Sequence, residues 1–504
     1  MYDQVTDSNK YNELRSICKY YIDSYKALYQ LKTNNEEEIK SIYNMIKTEL
    51  IETNKQLPRN VMNNILHIIT FNNRCTKSYL ALAKQISDDY HIKEAGNIPL
   101  TSSYLFYKEY GINFDMADDY KLLKSEKLEI LSEDTIYRAI MNNDKDRFIF
   151  FTESEEFDKN QKLESYLYPY SKDGYSLLKL CCYYGAVDCF KLIRTKFNSE
   201  ITTNCLELSF LGGNPEIISE CLKYEVPDEG CIARANISHN IDFITFLMNE
   251  FEEDIDLEYC VMHKDLESFL IYFDQTNDVN KCFFYSTAFD IPPLCEYFLL
   301  HGANINTEYE SGTTAFHQAV IYNSIGTAEL LLSYGANIDK ADYELTSLHI
   351  AILNNSIEMV ELLLSHGANV NEKNKTGETP LLKAVFGNKK EIVELLLSHG
   401  ANVNESDKYG RTVLCSAAEH NCYEIVKLLI SYGANVNQSD KAGCTALYHA
   451  AKQNCYEIVE LLINSGANIN QKNNFGRTAL CSAVYHNCKE TVKLLLSNGG
   501  KLTD

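Results

Sequence analysis

No run of the chain approaches eighteen consecutive apolar residues, so no membrane-spanning helix is predicted. No block of clustered Lys and Arg exists either. The 504 residues carry 47 Lys and Arg against 70 Asp and Glu, a net charge of −23. Phosphate backbones and anionic lipid surfaces need basic clusters, so neither nucleic acid nor membrane is expected as a partner. The opening residues, Met1 to Lys10, lack the basic-then-apolar layout of a secretory signal. Seventeen cysteines are present, yet none forms a C-x-x-C pair. In a chain without an export signal they are expected to be thiols in a reducing compartment, which points to the cytoplasm.

Catalytic motifs are missing as well. Gly212-Gly-Asn-Pro215 lacks the G-x-x-x-x-G-K-[ST] frame of a phosphate-binding loop. Glu252-Glu-Asp254 reads as a solvated acidic turn. No Ser or Cys nucleophile sits in a recognisable motif with a histidine. The chain is therefore expected to be no enzyme, with no cofactor and no small-molecule ligand.

What is there is a repeated phrase: Gly-Ala-Asn, an apolar residue, then Asn or Asp. It begins at Gly302, Gly335, Gly367, Gly400, Gly433 and Gly466, with a worn copy at Gly499. A period near 33 residues marks a stack of small units, each covering its neighbour's apolar face. Apolar content of 45% supports a packed core. Charge is uneven: residues 302–504 hold 16 Lys and Arg and 21 Asp and Glu, a net −5, and the rest holds 31 and 49, a net −18.

The unit Asp407–Asn437 is representative. Gly410 suits a turn, and Thr412 suits the cap of the helix that follows. Leu414, Ala417 and Ala418 lie at helical spacing, and the alanines permit close approach of a second helix. Glu419-His-Asn421 is a polar break. Ile425, Val426, Leu428, Leu429 and Ile430 make the second helix too apolar for wide exposure. Gly433 ends it in a left-handed cap.

This pattern resembles the ankyrin repeat. The family's Thr-Pro-Leu-His phrase survives as Thr314-Ala-Phe-His317, Thr346-Ser-Leu-His349 and Thr379-Pro-Leu-Leu382, then as Thr412-Val-Leu-Cys415, Thr445-Ala-Leu-Tyr448 and Thr478-Ala-Leu-Cys481. The unit at Asp342–Thr346 is one residue short, and a tightened hairpin is expected there. Similar grammar continues upstream at Lys172–Ile193, Leu206–Ile218, Cys231–Phe251, Leu257–Phe273 and Cys282–Leu300, with Tyr137–Phe151 as a candidate first pair. The expected fold is all-α: an elongated ankyrin-repeat solenoid of helix-turn-helix units with short β-hairpin loops, preceded by an N-terminal helical bundle. The expected domains are a helical region 1–125, divergent ankyrin-like repeats 134–301 and regular repeats 302–504.

In the first region Leu14, Ile17, Cys18, Tyr21, Tyr25 and Leu28 fall on one helical face. Ile39, Ile42, Met45, Ile46 and Leu50 repeat the pattern. Shorter helices are predicted near 59–70 and 76–90, and 111–130 is the predicted junction. The bundle is expected to cap the start of the stack. The layout, with Tyr20–Tyr29 and Ser209–Ile218 as its marks, resembles protozoan, trichomonad-type ankyrin proteins with worn repeats of unknown function before regular ones.

Cysteines at equivalent repeat positions, Cys422, Cys455 and Cys488 in one set and Cys415 and Cys481 in another, make a ladder. Stacked helices lie roughly 8–10 Å apart, whereas zinc holds sulfur at about 2.3 Å. No metal site is predicted from them. By the resemblance, His317 and His349 tie the hairpin to the helix start. It also implies that hairpin tips and the polar break face a protein partner, bound on the concave face of the ankyrin stack. The tips hold Tyr309, Glu310, Lys408, Tyr409, Arg411, Lys441, Asn474, Phe475 and Arg477. The breaks hold Tyr322, Glu419, His420, Lys452, Gln453, Tyr485 and His486. Exposed Tyr, Phe and Arg supply most interface energy, so these sixteen are the predicted contacts of an unidentified protein partner, with the chain as scaffold or adaptor. The alternative is that residues 1–125 carry or recruit an enzyme to which the stack presents substrates. At the last repeat, Thr491 replaces the isoleucine of Ile392, Ile425 and Ile458, beside Lys489 and Lys493. That change is expected to turn a more polar face to water, although Leu494-Leu-Leu496 remains.

Overall fold

The computed structural model describes residues 7–94, 98–114, 134–169, 174–309, 312–342 and 345–502. They belong to two compact units, Met1–Ala303 and Asn304–Asp504.

The described residues of the second unit form six helix pairs: Ala315–Ile321 with Ile325–Ser333, Ser347–Leu353 with Ile357–Ser365, Pro380–Phe386 with Lys390–Ser398, Val413–Glu419 with Tyr423–Ser431, Ala446–Lys452 with Tyr456–Asn464, and Ala479–Tyr485 with Lys489–Ser497. Local chemistry sets each boundary. The Thr412 hydroxyl accepts from Cys415 N at 3.1 Å, satisfying a backbone donor that the first turn leaves free. Between the helices stands an asparagine in the left-handed region, from Asn323 to Asn487, with φ between 51 and 59°. Asparagine tolerates that conformation better than other side chains with a Cβ. Gly433, at φ 86°, then turns the chain out of the second helix.

The recurring phrase has a mechanical meaning. Asn437 Oδ1 accepts from Asn468 N at 2.6 Å, and its Nδ2 donates to Gly466 O at 3.2 Å. Asn404 makes the same pair of bonds to Asn435 and Gly433. Asn371 and Asn470 do likewise, so the last Asn of the four phrases from Gly367 to Gly466 stitches one repeat to the next. Beneath the stitches Leu414, Ala417, Ala418, Ile425, Val426 and Leu429 are all buried. Fully burying one such aliphatic side chain contributes roughly 1.5–3 kcal/mol.

His317 and His349 occupy the expected bridging position. The His317 ring lies 2.9 Å from Thr314 Oγ1 and 2.8 Å from Lys340 O. The His349 ring lies 2.8 Å from Thr346 Oγ1 and 3.1 Å from Glu378 O. The short hairpin pairs Ala341 with Thr346 and Asp342 with Leu345. It is one residue tighter than the Ser406–Thr412 and Ser439–Thr445 bridges. Thr491 corrects the expectation of a polar face. It is fully buried, and its hydroxyl donates to Asn454 Oδ1 at 2.9 Å. The threonine answers an inward polar group, while Lys489, Lys493 and Leu496 are exposed.

The described residues of the first unit also form six helix pairs: Ile136–Met141 with Lys145–Thr152, Leu177–Tyr184 with Val187–Phe197, Thr203–Gly212 with Pro215–Cys221, Glu229–Ile237 with Ile241–Phe251, Leu257–Met262 with Leu266–Thr276, and Val279–Ser286 with Pro292–Leu300. One hairpin, Lys162–Leu163 with Tyr175–Ser176, accompanies them. Close packing selects glycine here: a Cβ on Gly212 would sit 2.0 Å from Cys182 O.

Ahead of these pairs stand Asp7–Ile17, Lys19–Tyr29, Glu36–Ile46, Pro58–Ile68, Thr76–Asp89 and Leu100–Tyr110. The first two helices break at Cys18, which turns Ile17 outward at 38% exposure while Leu14, Cys18, Tyr21, Tyr25 and Leu28 stay buried. The third runs on into a wider π-helical stretch, Lys47–Thr53. The helix Leu100–Tyr110 lacks the periodic pattern that marks the others. Residues 115–130 of the predicted junction lie outside the described residues. No described helix is long and apolar enough to cross a membrane.

The N-terminal region, through its helices and the connections between them, lies along the turns that follow the first helices of several worn pairs. Gln30 Nε2 donates to Ser238 O and His239 O at 3.4 and 2.9 Å. Gln56 Nε2 donates to Phe289 O at 3.2 Å, and Arg74 Nη2 to Tyr184 O at 2.9 Å. The Tyr29 ring stacks on His239 with centroids 4.2 Å apart, and Phe71 meets His263 edge-on at 5.0 Å. Arg15 and Lys26 both pair with Glu267.

Candidate protein-binding surface

The turn after each first helix supplies a common register. In the second unit its left-handed residue is Asn421 and equivalents, preceded by Glu419-His420 in one repeat, Lys452-Gln453 in the next and Tyr485-His486 in the last. In the first unit the left-handed residues at this turn are Asn143, Gly185, Gly213, His239, Lys264 and Asp290. The residues just before them include Tyr184, Ser238, His263 and Phe289, which the N-terminal helices cover. His239 and His263 are accordingly buried. Burial pushes the His263 imidazole down to about 3, with the neighbouring His239 adding to the effect.

In the second unit the same register is exposed at His420, Gln453 and His486, while Tyr322, Glu419 and Lys452 are half-buried. Tyr485 is 76% exposed and stands edge-on to His486 at 5.0 Å, with the Arg477 guanidinium 5.9 Å from its ring centre. The imidazoles of His420 and His486 also lie 2.9 and 3.0 Å from the Ser416 and Ser482 carbonyls, so each ring is held at its helix end.

Along the hairpin tips Lys408, Tyr409, Lys441, Asn474, Phe475 and Arg477 are exposed, and Tyr309 and Arg411 are half-buried. Glu310 lies outside the described residues. Adjacent tips are tied together. Lys441 N donates to Tyr409 O at 3.3 Å, and Asn474 N donates to Ala442 O at 2.9 Å. Asn474 Nδ2 donates to Lys441 O at 2.8 Å. Lys441 and Asn474 therefore have a structural duty besides any surface role. Arg411 pairs with Asp407 at 2.8 Å and stacks over Phe386 at 5.1 Å. Phe386 meets His420 edge-on at 5.6 Å.

Phe386 belongs to the surface and was not among the predicted contacts. It ends its first helix at the position of Glu419, Lys452 and Tyr485, as do Ile321 and Leu353, which are 39% and 49% exposed. Their signal was the same 33-residue register, masked because apolar residues at a helix end read as core. The surface thus runs from apolar (Ile321, Leu353, Phe386) to charged and aromatic (Glu419, Lys452, Tyr485).

All seventeen cysteines are free, and sixteen are buried. Burial pushes the Cys415 thiol up to about 12, so it is a weak nucleophile. In the first unit a cavity of about 430 Å3 opens between Tyr29, Gln30, Arg74, Tyr184 and Gly212. Its described lining contains Lys32, Arg74 and the phenols of Tyr29, Tyr183 and Tyr184, but no carboxylate, imidazole or thiol.

Residues 283–374, 367–440 and 433–504 match the family model described as ankyrin repeats (3 copies). Residues 197–272 match a model described as a domain of unknown function (DUF3447). Neither description names a catalytic domain. Solved structures similar to part of the chain include the human ASB11 ankyrin repeat domain, 25% identical, with a TM-score of 0.39 over 44% of this chain and 99% of that one. Another is the ankyrin repeat domain of Bcl-3, titled a unique member of the IkappaB protein family, 28% identical, with a TM-score of 0.40 over 42% of this chain and 97% of that one. No curated protein matches. Residues 283–504 are ankyrin repeats, in a mostly helical chain that also carries a domain of unknown function.

Proposed function

We propose that the chain is a non-catalytic scaffold or adaptor that holds a protein partner on the face made by the hairpin tips and first-helix ends of the second unit. Ankyrin repeats are generally modules of protein–protein interaction, and the finer reading rests on one observation. Tyr409, Phe475 and Tyr485 are 57%, 78% and 76% exposed on that face, whereas the equivalent register of the first unit is covered by helices of the same chain. Large aromatic side chains lose much apolar surface to water when a partner covers them, which is why such residues concentrate binding energy. The worn region 134–301, with the N-terminal helices as its cover, is then a separate domain. The cytoplasm is the compartment that suits the thiols. The Tyr20–Tyr29 and Ser209–Ile218 phrases favour placement among the protozoan, trichomonad-type ankyrin proteins.

Proximity labelling in the source cell tests the binding role. Wild type is compared with a variant carrying alanine at Tyr409, His420, Phe475, Tyr485 and His486. Loss of a small, defined set of labelled proteins from the variant is expected. Identical lists would remove this face from consideration and shift attention to residues 7–114.

A further inference from the structure

Two neighbouring repeats carry a hairpin carboxylate, Asp407 and Asp440, where the third and sixth carry Asn374 and Asn473. In the fourth repeat Asp407 Oδ1 accepts from Tyr409 N and Arg411 N at 2.8 and 2.9 Å, and Oδ2 meets the Arg411 guanidinium at 2.8 Å. In the fifth repeat Asp440 Oδ1 keeps the two backbone bonds, from Ala442 N at 2.9 Å and Cys444 N at 2.8 Å. The arginine, however, has become Cys444. The helix position of Ser416 and Ser482 has become His449. Asp440 Oδ2 now lies 3.0 Å from His449 Nε2.

One ligand atom each from Asp440, Cys444 and His449 falls within 4.8 Å of the other two. Cys444 is 7% exposed, and the side chains of His449 and Asp440 are 12% and 10% exposed. The predicted absence of metal rested on cysteines of neighbouring repeats; these three groups lie within a single repeat.

An Asp440–His449 hydrogen bond alone leaves two facts without a role. The first is His449 Nδ1, which is buried and makes no hydrogen bond, with Glu419 Oε1 3.8 Å away. The second is the thiol, whose sulfur receives Asn473 Nδ2 at 3.5 Å. A metal on Nε2 gives both a role. The ring proton then sits on Nδ1 and points at the Glu419 carboxylate, the outer partner that metal-bound imidazoles usually have. The asparagine amide supports a thiolate. One carboxylate, one thiolate and one imidazole form the borderline set that suits zinc. Ligand atoms around tetrahedral zinc stand about 3.3–3.8 Å apart, from bonds of roughly 2.0–2.3 Å. Closing the group therefore needs rotations of Cys444 and His449 by about 1 Å against a carboxylate already fixed by the hairpin.

We propose that Asp440, Cys444 and His449 bind one zinc ion within the fifth repeat, with Glu419 orienting His449. Zinc replaces the thiol proton, which passes to solvent, so the carboxylate and thiolate neutralise the ion. The site pins the hairpin to its helix, whereas in the preceding repeat Arg411 closes the hairpin on Asp407.

Cobalt is the spectroscopic probe, added to the reduced full-length chain. One equivalent is expected to produce a thiolate-to-cobalt charge-transfer band that zinc abolishes by displacement. Cys444→Arg and His449→Ser restore residues that the adjacent repeats carry, so both variants fold, which circular dichroism checks. Each is expected to lose the band. Glu419→Gln is expected to keep it with about 10–100-fold weaker affinity. A wild-type chain without the band overturns the proposal. So does a band that survives in Cys444→Arg, which would assign the metal to the other sixteen cysteines.

Discussion

At the turn after each first helix the two units carry different residues and treat them differently. In the first unit Tyr184, Ser238, His263 and Phe289 lie under the N-terminal region, whose connecting residues Arg74, Gln30 and Gln56 donate side-chain hydrogen bonds to the Tyr184, Ser238 and Phe289 carbonyls. In the second, His420, Gln453 and His486 meet solvent. The difference extends to how each stack is held. The second unit keeps the stitching asparagines, Asn371, Asn404, Asn437 and Asn470, and is bound by its own phrase. Where a cover supplies polar partners and apolar contact, the phrase is released from that duty and can wear. A repeat stack can thus be cohesive by stitching or by docking, and in the stitched unit His420, Gln453 and His486 at the first-helix ends are exposed.

Substitutions break this contrast in graded steps. The largest effect is expected for Tyr25→Ala. Tyr25 is 1% exposed and its hydroxyl accepts from Asn64 Nδ2 at 2.8 Å. Truncating a buried aromatic costs about 3–5 kcal/mol. Urea denaturation followed by hydrogen exchange should show the loss in residues 7–300, with the second unit's protection unchanged.

Next comes pH. His349 is buried, and burial holds its imidazole down at about 4, against about 6.5 in an unfolded chain. The unfolded chain therefore takes up the proton first. This contribution is complete above about pH 6.5 and falls with acidification by up to about 1.4 kcal/mol per pH unit until pH 4. His349→Leu, which installs the residue found at Leu382, should flatten that slope in the second unit's unfolding. An unchanged slope would show that His349 is not held neutral.

A smaller loss, about 0.5–1.5 kcal/mol, is expected for Asn437→Ala, which removes one inter-repeat stitch. The same change should raise hydrogen exchange at Asn468 N more than at Asn435 N. The smallest effect is expected for Tyr485→Ala on the isolated chain, within about 0.5 kcal/mol, because the ring is exposed and not part of the core. A thermal unfolding curve checks it. A large loss would make Tyr485 structural and weaken its proposed role in binding.

Much of the second unit was legible in the sequence because its helix pairs, caps and stitches are local and repeat. Thr412, Asn421 and Gly433 act on neighbours within a few residues, or one period away. Thr491 misled because polarity was read as exposure, when its partner Asn454 lies one repeat back. The cover on the first unit was not legible. Gln30 and Ser238 are 208 residues apart in sequence, and no period connects them. Ile17 was misplaced for a related reason: the break at Cys18 changes which face turns inward. The Asp440, Cys444 and His449 group follows a spacing visible in the sequence, but it becomes a cluster only once the hairpin and helix close on each other.

Histidine footprinting with diethylpyrocarbonate on the intact chain tests the central contrast most directly. His420 and His486 should be modified readily, while His239 and His263, 6% and 5% exposed, should react only when the chain unfolds. Rapid modification of His239 and His263 in the native chain would show that the N-terminal helices do not cover the first unit, and the account would fail.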